Sequence, residues 1–199
     1  MGNRRFSRKR LFEVEKRGQT VDIESGAGIK DAIGPTTQHR QGNELITEIV
    51  VDLGSTRADI VGGGAQDRPV GVASLKAAIT RLTLEKYGRI VEIRIVCLED
   101  AGQDFDLVVG DLNANTAANL ASGGTRTELA AGIGNDVGED LTNIGVQAIT
   151  GIDSNGMQTS GNEWYLYLTN ANGNSSGASI DLGKFLIYIH GFVAPDDLA

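Results

Sequence analysis

Apolar and polar residues alternate along several short stretches of this chain. In residues 44–53, Ile49 and Val51 alternate with Glu48 and Asp52. A period of two residues is typical of a half-buried β-strand, whose successive side chains point to opposite faces of a sheet. The pattern therefore predicts that a regular strand begins at Glu44.

The clearest hairpin pattern lies in residues 79–98. Two runs of alternating residues flank the sequence Lys86–Arg89, which contains Gly88. Such a pattern predicts two antiparallel strands joined by a glycine-containing turn. Cys97 falls on the apolar face of the second run, where we expect a small buried core residue.

Further strands are predicted at residues 105–109, 146–149, 163–169 and 184–193. The last two are apolar on both faces, so we expect another sheet, a loop or a neighbouring subunit to cover each face. They also hold many of the aromatic residues of a chain in which only 5% of residues are aromatic. We therefore expect these two strands at the centre of the core.

One short helix is expected, because Thr125 and Glu128 fit a capping box that opens into an apolar run ending near Gly134. Residues 18–43 show no sustained periodicity and favour an extended connection along the surface. Gly-, Asn- and Ser-rich sequences between the strands favour long loops.

The pattern as a whole predicts a mainly β protein, an antiparallel β-sandwich or jelly-roll-like domain with long loops. Residues 1–43 form an extended N-terminal arm and connection in this prediction, and residues 44–199 form the β body.

The charge of the chain is divided between these parts. The net charge is −8 over 199 residues, yet residues 1–20 carry +5, which leaves −13 on the rest. A basic arm binds nucleic acid, an anionic surface or an acidic face of a partner subunit. Nucleic acid is the weaker alternative, since Phe6 and Phe12 are the arm's only aromatic residues. The candidate partner-binding residues are Arg4, Arg5, Arg8, Lys9, Arg10, Lys16 and Arg17.

The sequence offers little catalytic or metal-binding chemistry. Its two histidines, His39 and His190, are far apart in the chain, and Cys97 is its one cysteine. Phosphate-binding glycine loops and the G-x-S-x-G elbow do not occur. Residues 111–115 imitate the start of a calcium loop, but Thr116 stands where glycine is required. We therefore expect no enzyme, no cofactor, no metal and, without a long apolar run, no membrane partner.

Three segments resemble small virion structural proteins of marine tailed bacteriophages, particularly those of phages of cyanobacteria. They are residues 4–12 (RRFSRKRLF), 24–33 (ESGAGIKDAI) and 183–193 (GKFLIYIHGFV). The resemblance implies a non-enzymatic capsid or tail protein, in first place a head decoration or cement protein, assembled into the virion in the host cytoplasm. It implies the major capsid protein or other virion subunits as partners, and a homo-oligomer with a trimer favoured.

Three alternatives stay open. One is a tail or baseplate component. Another is a module that binds carbohydrate or a host surface, if Trp164, Tyr165, Tyr167 and Tyr188 face solvent. The third is an enzyme, which would need a cleft that brings a histidine to a carboxylate and to a serine or cysteine.

Overall fold

The computed structural model describes residues 19–54, 60–61, 68–72, 74–102, 104–111, 113–114, 126–133, 163–170, 180 and 182–193. In this part of the chain a 3₁₀ turn covers Lys30–Ala32, and a single α-helical turn, α1, covers Leu84–Tyr87. The strands are β1 Gln19–Thr20, β2 Ile33–Gln41, β3 Glu44–Asp52, β4 Ile60–Val61, β5 Gly71–Val72, β6 Thr80–Leu82, β7 Arg89–Glu99, β8 Phe105–Gly110, β9 Arg126–Ile133, β10 Trp164–Asn170 and β11 Lys184–Phe192.

The described strands form two principal sheets and one small one, and every pairing is antiparallel. The first sheet has the order β1-β2-β3-β11-β7, and the second has the order β6-β10-β8-β9. Strands β4 and β5 form a separate pair. The predicted class, mainly β with antiparallel pairing, is confirmed, as are the strands predicted at 44–53, 105–109, 163–169 and 184–193.

Strand β11 lies inside the first sheet, paired with β3 on one side and β7 on the other. Its residues Phe185, Ile187 and Ile189 are buried, whereas Leu186 and Tyr188 between them are half-buried. Successive side chains of a strand alternate between faces, so the buried set defines the inner face of this sheet. Strand β10 lies inside the second sheet between β6 and β8 and is buried throughout. The prediction that these two strands lie at the centre of the core is confirmed.

Side chains from both sheets share one hydrophobic core. The ring of Phe105 on β8 contacts the ring of Phe185 on β11 edge to face, with centroids 5.5 Å apart, a favoured geometry for aromatic pairs. Cys97 on β7 belongs to the same core and is buried, as predicted. A core shared between two sheets is what a β-sandwich requires, and the sandwich or jelly-roll description itself stays a prediction.

The other face of the second sheet is covered by its own chain. Tyr165, Tyr167 and Val108 form a small cluster there with Ala78 and Ala114. The Tyr167 hydroxyl accepts a hydrogen bond from the Ala114 amide at 2.9 Å. The expectation that both faces of this strand are covered is therefore confirmed.

The hairpin predicted in residues 79–98 does not form. Strand β6 pairs with β10 in the second sheet, and β7 pairs with β11 in the first. Helix α1 separates them: the Thr83 hydroxyl caps it by accepting from the Lys86 amide, and Gly88 ends it with φ +63°. A capped helical turn redirects the chain, whereas a tight hairpin turn would have kept both strands in one sheet.

Two other predictions are corrected. Residues 125–134 contain strand β9 where we expected a helix, because pairing with β8 outweighs a capping pattern that is too short to stabilise a helix alone. Residues 33–41 form strand β2, which pairs with β3 along its length, so the connection predicted over 18–43 is wrong for this part. The predicted domain boundary at 43/44 falls between two paired strands.

The strand predicted at 146–149, most of the predicted long loops and residues 1–18 of the arm lie outside the described residues. No helix in the described part of the chain is long and apolar enough to cross a membrane.

The end of helix α1 lies close to β11 at Gly191. A Cβ at this position would overlap the carbonyl oxygen of Tyr87. Gly191→Ala should therefore destabilise the fold by about 1–3 kcal/mol, the usual cost of overpacking. Gly34→Ala is the matched control, because its Cβ comes no closer than 3.1 Å to Val50 and should cost less. Urea unfolding measures both, and an equal or smaller loss for Gly191→Ala would show that α1 is free to move away.

Two buried tyrosines predict how stability depends on alkaline pH. Burial raises the pKa of the Tyr87 and Tyr167 hydroxyls well above the ordinary value, because a phenolate is poorly solvated in the core. The Tyr87 hydroxyl also lies 2.6 Å from the Thr80 hydroxyl. These two hydroxyls therefore contribute their full stabilisation of the folded state below about pH 10, the ordinary pKa of tyrosine in the unfolded chain. As the pH rises above that value the contribution is lost, because the unfolded chain releases these protons while the folded chain still holds them.

In an alkaline titration, the phenolate absorbance of these two residues should therefore appear together with loss of the β circular dichroism. Tyr87→Phe should remove one tyrosine from that cooperative step. Smooth ionisation of all four tyrosines near pH 10, with the β signal intact, would contradict the burial of both rings.

Candidate functional site

The outer face of the first sheet gathers most of the chemistry that the described residues offer. We use the term outer face for the side chains of β2, β3, β11 and β7 that point away from the shared core. Registered neighbours form rows across it. The rows contain Gln41, Glu44, Phe192 and Arg89; then His39, Ile46, His190 and Glu92; then Thr37, Glu48, Tyr188 and Arg94; then Val50, Leu186 and Val96; and last Asp52, Lys184 and Glu99.

Both histidines lie in one row of this face, although the sequence separates them widely. Nε2 of His39 is 3.3 Å from a carboxylate oxygen of Glu48. Nδ1 of His190 is 3.3 Å from a carboxylate oxygen of Glu44. Strand β3 lies between β2 and β11, so Glu48 contacts His39 on one side and Glu44 contacts His190 on the other. His39 is half-buried.

An aromatic ring and a guanidinium occupy the centre of the face. The guanidinium carbon of Arg94 lies 4.8 Å from the ring centroid of Tyr188, a cation–π contact. The Tyr188 ring is also 6.5 Å from the ring of His190. Tyrosine and arginine are the side chains that most often dominate protein–protein binding energy.

Aliphatic side chains continue the face beyond Tyr188. Val50, Leu186 and Val96 are neighbours across three strands, and all are half-buried. The last row is charged: Nζ of Lys184 is 2.8 Å from a carboxylate oxygen of Asp52. The hydrogen bond to this carboxylate raises the pKa of Lys184. The face thus combines Tyr188, Arg94 and one aliphatic row with charged side chains in its other rows, and tyrosine and arginine are among the residues enriched in protein interfaces.

Two exposed apolar residues mark β7, which lies at the end of the first sheet. Val91 and Leu98 are 46% and 45% exposed, and each lies at a register shift in the pairing of β7 with β11. Bulges in an outer strand hinder edge-to-edge pairing with other chains. Phe192, 45% exposed, lies at the same end of the sheet as Val91.

A concave feature lies at the end of the first sheet, where helix α1 faces the inner side of β2 and β3. We call it the end groove. It is open to solvent, has a volume of about 610 Å³, and is lined among others by Gln38, Arg40, Leu45, Leu84, Lys86 and Val193. The Gln38 amide fixes α1 against the sheet by donating to the Lys86 carbonyl at 2.8 Å and to the Thr47 hydroxyl at 2.9 Å.

The predicted partner-binding residues Arg4, Arg5, Arg8, Lys9, Arg10, Lys16 and Arg17 lie outside the described residues. The structure therefore neither groups them nor separates them, and the arm's role stays a prediction.

The aromatic platform considered for carbohydrate binding does not face solvent. Trp164, Tyr165 and Tyr167 are buried, and the Tyr165 hydroxyl donates to the Glu163 carboxylate. Tyr188 is half-buried and covered by Arg94. A sugar stacks on an exposed ring face, so the geometry gives this alternative no support.

The histidines meet part of the geometric requirement for catalysis. Each has a carboxylate partner, and the Thr37 hydroxyl donates to the second oxygen of Glu48 at 3.4 Å. Cys97, however, points into the core from the opposite face of β7, so the sheet separates its thiol from both imidazoles. Among the described residues, no group of three or more His, Cys, Asp or Glu side chains could hold a metal ion.

Sequence reasoning missed Glu44 and Glu48 as partners of the histidines. Both lie at even-numbered positions of a correctly predicted strand, so the sequence alone predicts that they share a face. It did not predict which strands pair with β3, because residues 33–41 were interpreted as irregular and the pairing with β11 joins segments more than 130 residues apart.

Comparison with known proteins gave no match to a family model, to a curated protein or to a solved structure.

The position of Cys97 predicts its reactivity. Because the thiol is 2% exposed, a thiol reagent should modify it only as fast as the protein unfolds. Leu182→Cys supplies an internal reference, since Leu182 is 51% exposed and the new thiol should react at once. A kinetic trace with one fast and one slow thiol is expected. Rapid modification of Cys97 in the folded wild-type protein would contradict the packing.

Proposed function

We propose that this chain is a non-enzymatic structural protein of a phage virion, a head decoration or cement protein that binds the assembled capsid lattice. The observation that carries the proposal is the outer face, which has the composition of a protein interface and includes residues of the C-terminal segment that resembles virion proteins. The same segment, residues 183–193, supplies β11. The resemblance and the surface chemistry thus point to one part of the molecule.

Binding would use two kinds of contact. Tyr188, Arg94 and the aliphatic row would supply buried area, and the basic arm would supply electrostatic attraction to acidic capsid surfaces. Each copy would stabilise the shell by binding the assembled lattice better than free subunits, and lattice symmetry would multiply the effect.

The charge distribution supports a role for the arm. With +5 on residues 1–20 and −13 on the rest, the body repels the acidic surfaces that the arm attracts. An arm that reaches a partner while the body stays at the surface fits this division. A tail or baseplate position would use the same contacts, and electron microscopy of labelled particles distinguishes it from a position on the head.

The proposal predicts saturable binding to shells assembled without this protein. Deleting residues 1–17 should weaken binding at least about tenfold, since seven exposed ion pairs at about 0.2 kcal/mol each sum to about 1.4 kcal/mol. The deletion should also flatten the salt dependence, because screening acts on the contacts it removes. Co-sedimentation over a salt series measures both effects.

Tyr188→Ala tests the outer face separately and should weaken binding about tenfold or more without changing the salt dependence. Leu75→Ala is the control: Leu75 is 41% exposed but lies outside the outer face, and its removal should leave binding unchanged. The proposal would be refuted if a variant that combines the 1–17 deletion with Tyr188→Ala bound to the shells as tightly as the wild-type protein.

A further inference from the structure

Arg94 is a half-buried cation in the middle row of the outer face, and none of the ion pairs among the described residues includes it. The three carboxylates that β3 places on this face are already engaged. Glu48 and Glu44 contact the two histidines, and Asp52 contacts Lys184. Arg94 therefore keeps a charge that the described part of the chain does not pair.

Tyr188 fixes the position of the guanidinium. The guanidinium carbon of Arg94 lies 4.8 Å from the centroid of the Tyr188 ring, and this ring belongs to β11, which is paired on both sides. A guanidinium over an aromatic ring still directs its N–H groups outward in its own plane, so it can bind an acceptor at the same time. The contact holds the donors in place before a partner arrives, which lowers the entropy cost of binding.

The nitrogen atoms of Arg94 differ in their surroundings. Nε is buried and has no hydrogen-bond acceptor among the described residues. The terminal atoms Nη1 and Nη2 are not in this condition, so they are the donors that a partner can reach. Their N–H groups form a fork that matches the two oxygens of a carboxylate. Because an unsatisfied buried donor lowers the stability of the folded state, the fold itself gains little from this side chain.

The charges around Arg94 favour a single carboxylate over a polyanion. Glu92 lies two residues earlier on the same face of β7, and Glu48 lies in the same row beyond Tyr188. Residues 21–199 carry −13 as a whole. The repeated phosphates of a nucleic acid would be repelled by these charges. One carboxylate, in contrast, gains two charge-assisted hydrogen bonds from the fork.

The row next to Arg94 defines the rest of the partner surface. Val96 follows Arg94 on the same face of β7, and Leu186 and Val50 continue the row across the sheet. All three are half-buried, so part of each side chain is available for contact. A complementary surface therefore places an apolar side chain beside its carboxylate, which a protein surface offers and a nucleic-acid backbone does not.

We propose that Arg94, held in place by Tyr188, binds the carboxylate of an aspartate or glutamate on a partner protein. An apolar side chain beside that carboxylate packs on Val50, Leu186 and Val96. This inference rests on the proposed function and deepens it, because it names the group that the outer face recognises on the capsid. Binding through the outer face then has a geometric requirement that the basic arm lacks.

Three substitutions in the full chain test the contact. Arg94→Met removes the charge and the donors but keeps an unbranched side chain, and should weaken co-sedimentation with shells assembled without this protein at least about tenfold. Arg94→Lys keeps the charge without the planar fork and should still weaken binding about threefold or more. Arg40→Met is the matched control, because Arg40 is exposed and lines the end groove. It should leave binding unchanged.

Chemical blocking of the shell carboxylates identifies the group that Arg94 binds. Treatment with a carbodiimide and glycinamide converts accessible aspartate and glutamate side chains to neutral amides. The arm is the same in both proteins, so the ratio of wild-type to Arg94→Met affinity reports Arg94 alone. This ratio should fall from about ten on untreated shells to about one on blocked shells, the result expected when both changes remove one interaction.

Urea unfolding is the folding control. The midpoint of Arg94→Met should equal or exceed that of the wild type, because the substitution removes an unsatisfied buried donor. If Arg94→Met does not fold, the comparison on blocked shells is made with Arg94→Lys, and the ratio should again fall to about one.

Several results would overturn the inference and leave the proposed function standing. These are equal shell binding by the wild type and Arg94→Met, full binding by Arg94→Lys, or an affinity ratio that blocking does not change. Loss of DNA binding in Arg94→Met, with shell binding intact, would assign Arg94 to a phosphate and would also overturn it. Failure of the wild-type protein to bind shells would overturn both the inference and the proposed function.

Discussion

The alternation of side chains along β11 controls both the core and the candidate interface. Phe185, Ile187 and Ile189 pack into the shared core, and Leu186, Tyr188 and His190 point to the outer face. A slip of one residue against β3 would exchange the two sets and place Tyr188 and His190 in the core. Burial of the aliphatic set, at about 1.5–3 kcal/mol for each large side chain, makes such a slip prohibitive. The register that secures the core therefore also positions the interface.

Helix α1 is short but determines how the chain passes from one sheet to the other. It contains one turn, yet it directs β6 into one sheet and β7 into the other. Gly88 with its positive φ and Gly191 without a side chain allow the end of the helix to approach β11. The same approach leaves a gap between α1 and the ends of β2 and β3, and this gap is the end groove. A constraint on chain direction thus creates a concave site.

The two candidate surfaces differ in the partners they favour. The outer face is broad, has an aromatic and arginine centre, and matches the flat complementary surfaces of subunits in an assembly. The end groove is concave and mixed in character, since its lining includes aliphatic side chains together with Arg40, Glu85 and Lys86, and Lys86 is paired with Glu24. The histidine–glutamate pairs of the outer face stabilise its polar rows and lack an adjacent cysteine, since Cys97 faces the core.

The sequence by itself determined where most strands lie and which of their side chains are buried. Period-two patterns in 44–53 and 184–193 and the apolar position of Cys97 are local properties, because strand alternation is set by the backbone. Local pattern was insufficient at 125–134, where a capping sequence lies in β9, and at 33–41, where polar side chains lie in β2. In both segments, pairing with a neighbouring strand supplies hydrogen bonds that the residues' own pattern does not indicate.

Only the tertiary structure decided which strands pair, and with that the candidate sites. His39 and His190 share a row because β3 lies between their strands, and the partner of β7 is β11 and not β6. Arg40 and Leu84 meet at the end groove for the same reason. Pairing between distant segments depends on the balance of chain entropy against burial over the whole core, and no local pattern of residues records that balance.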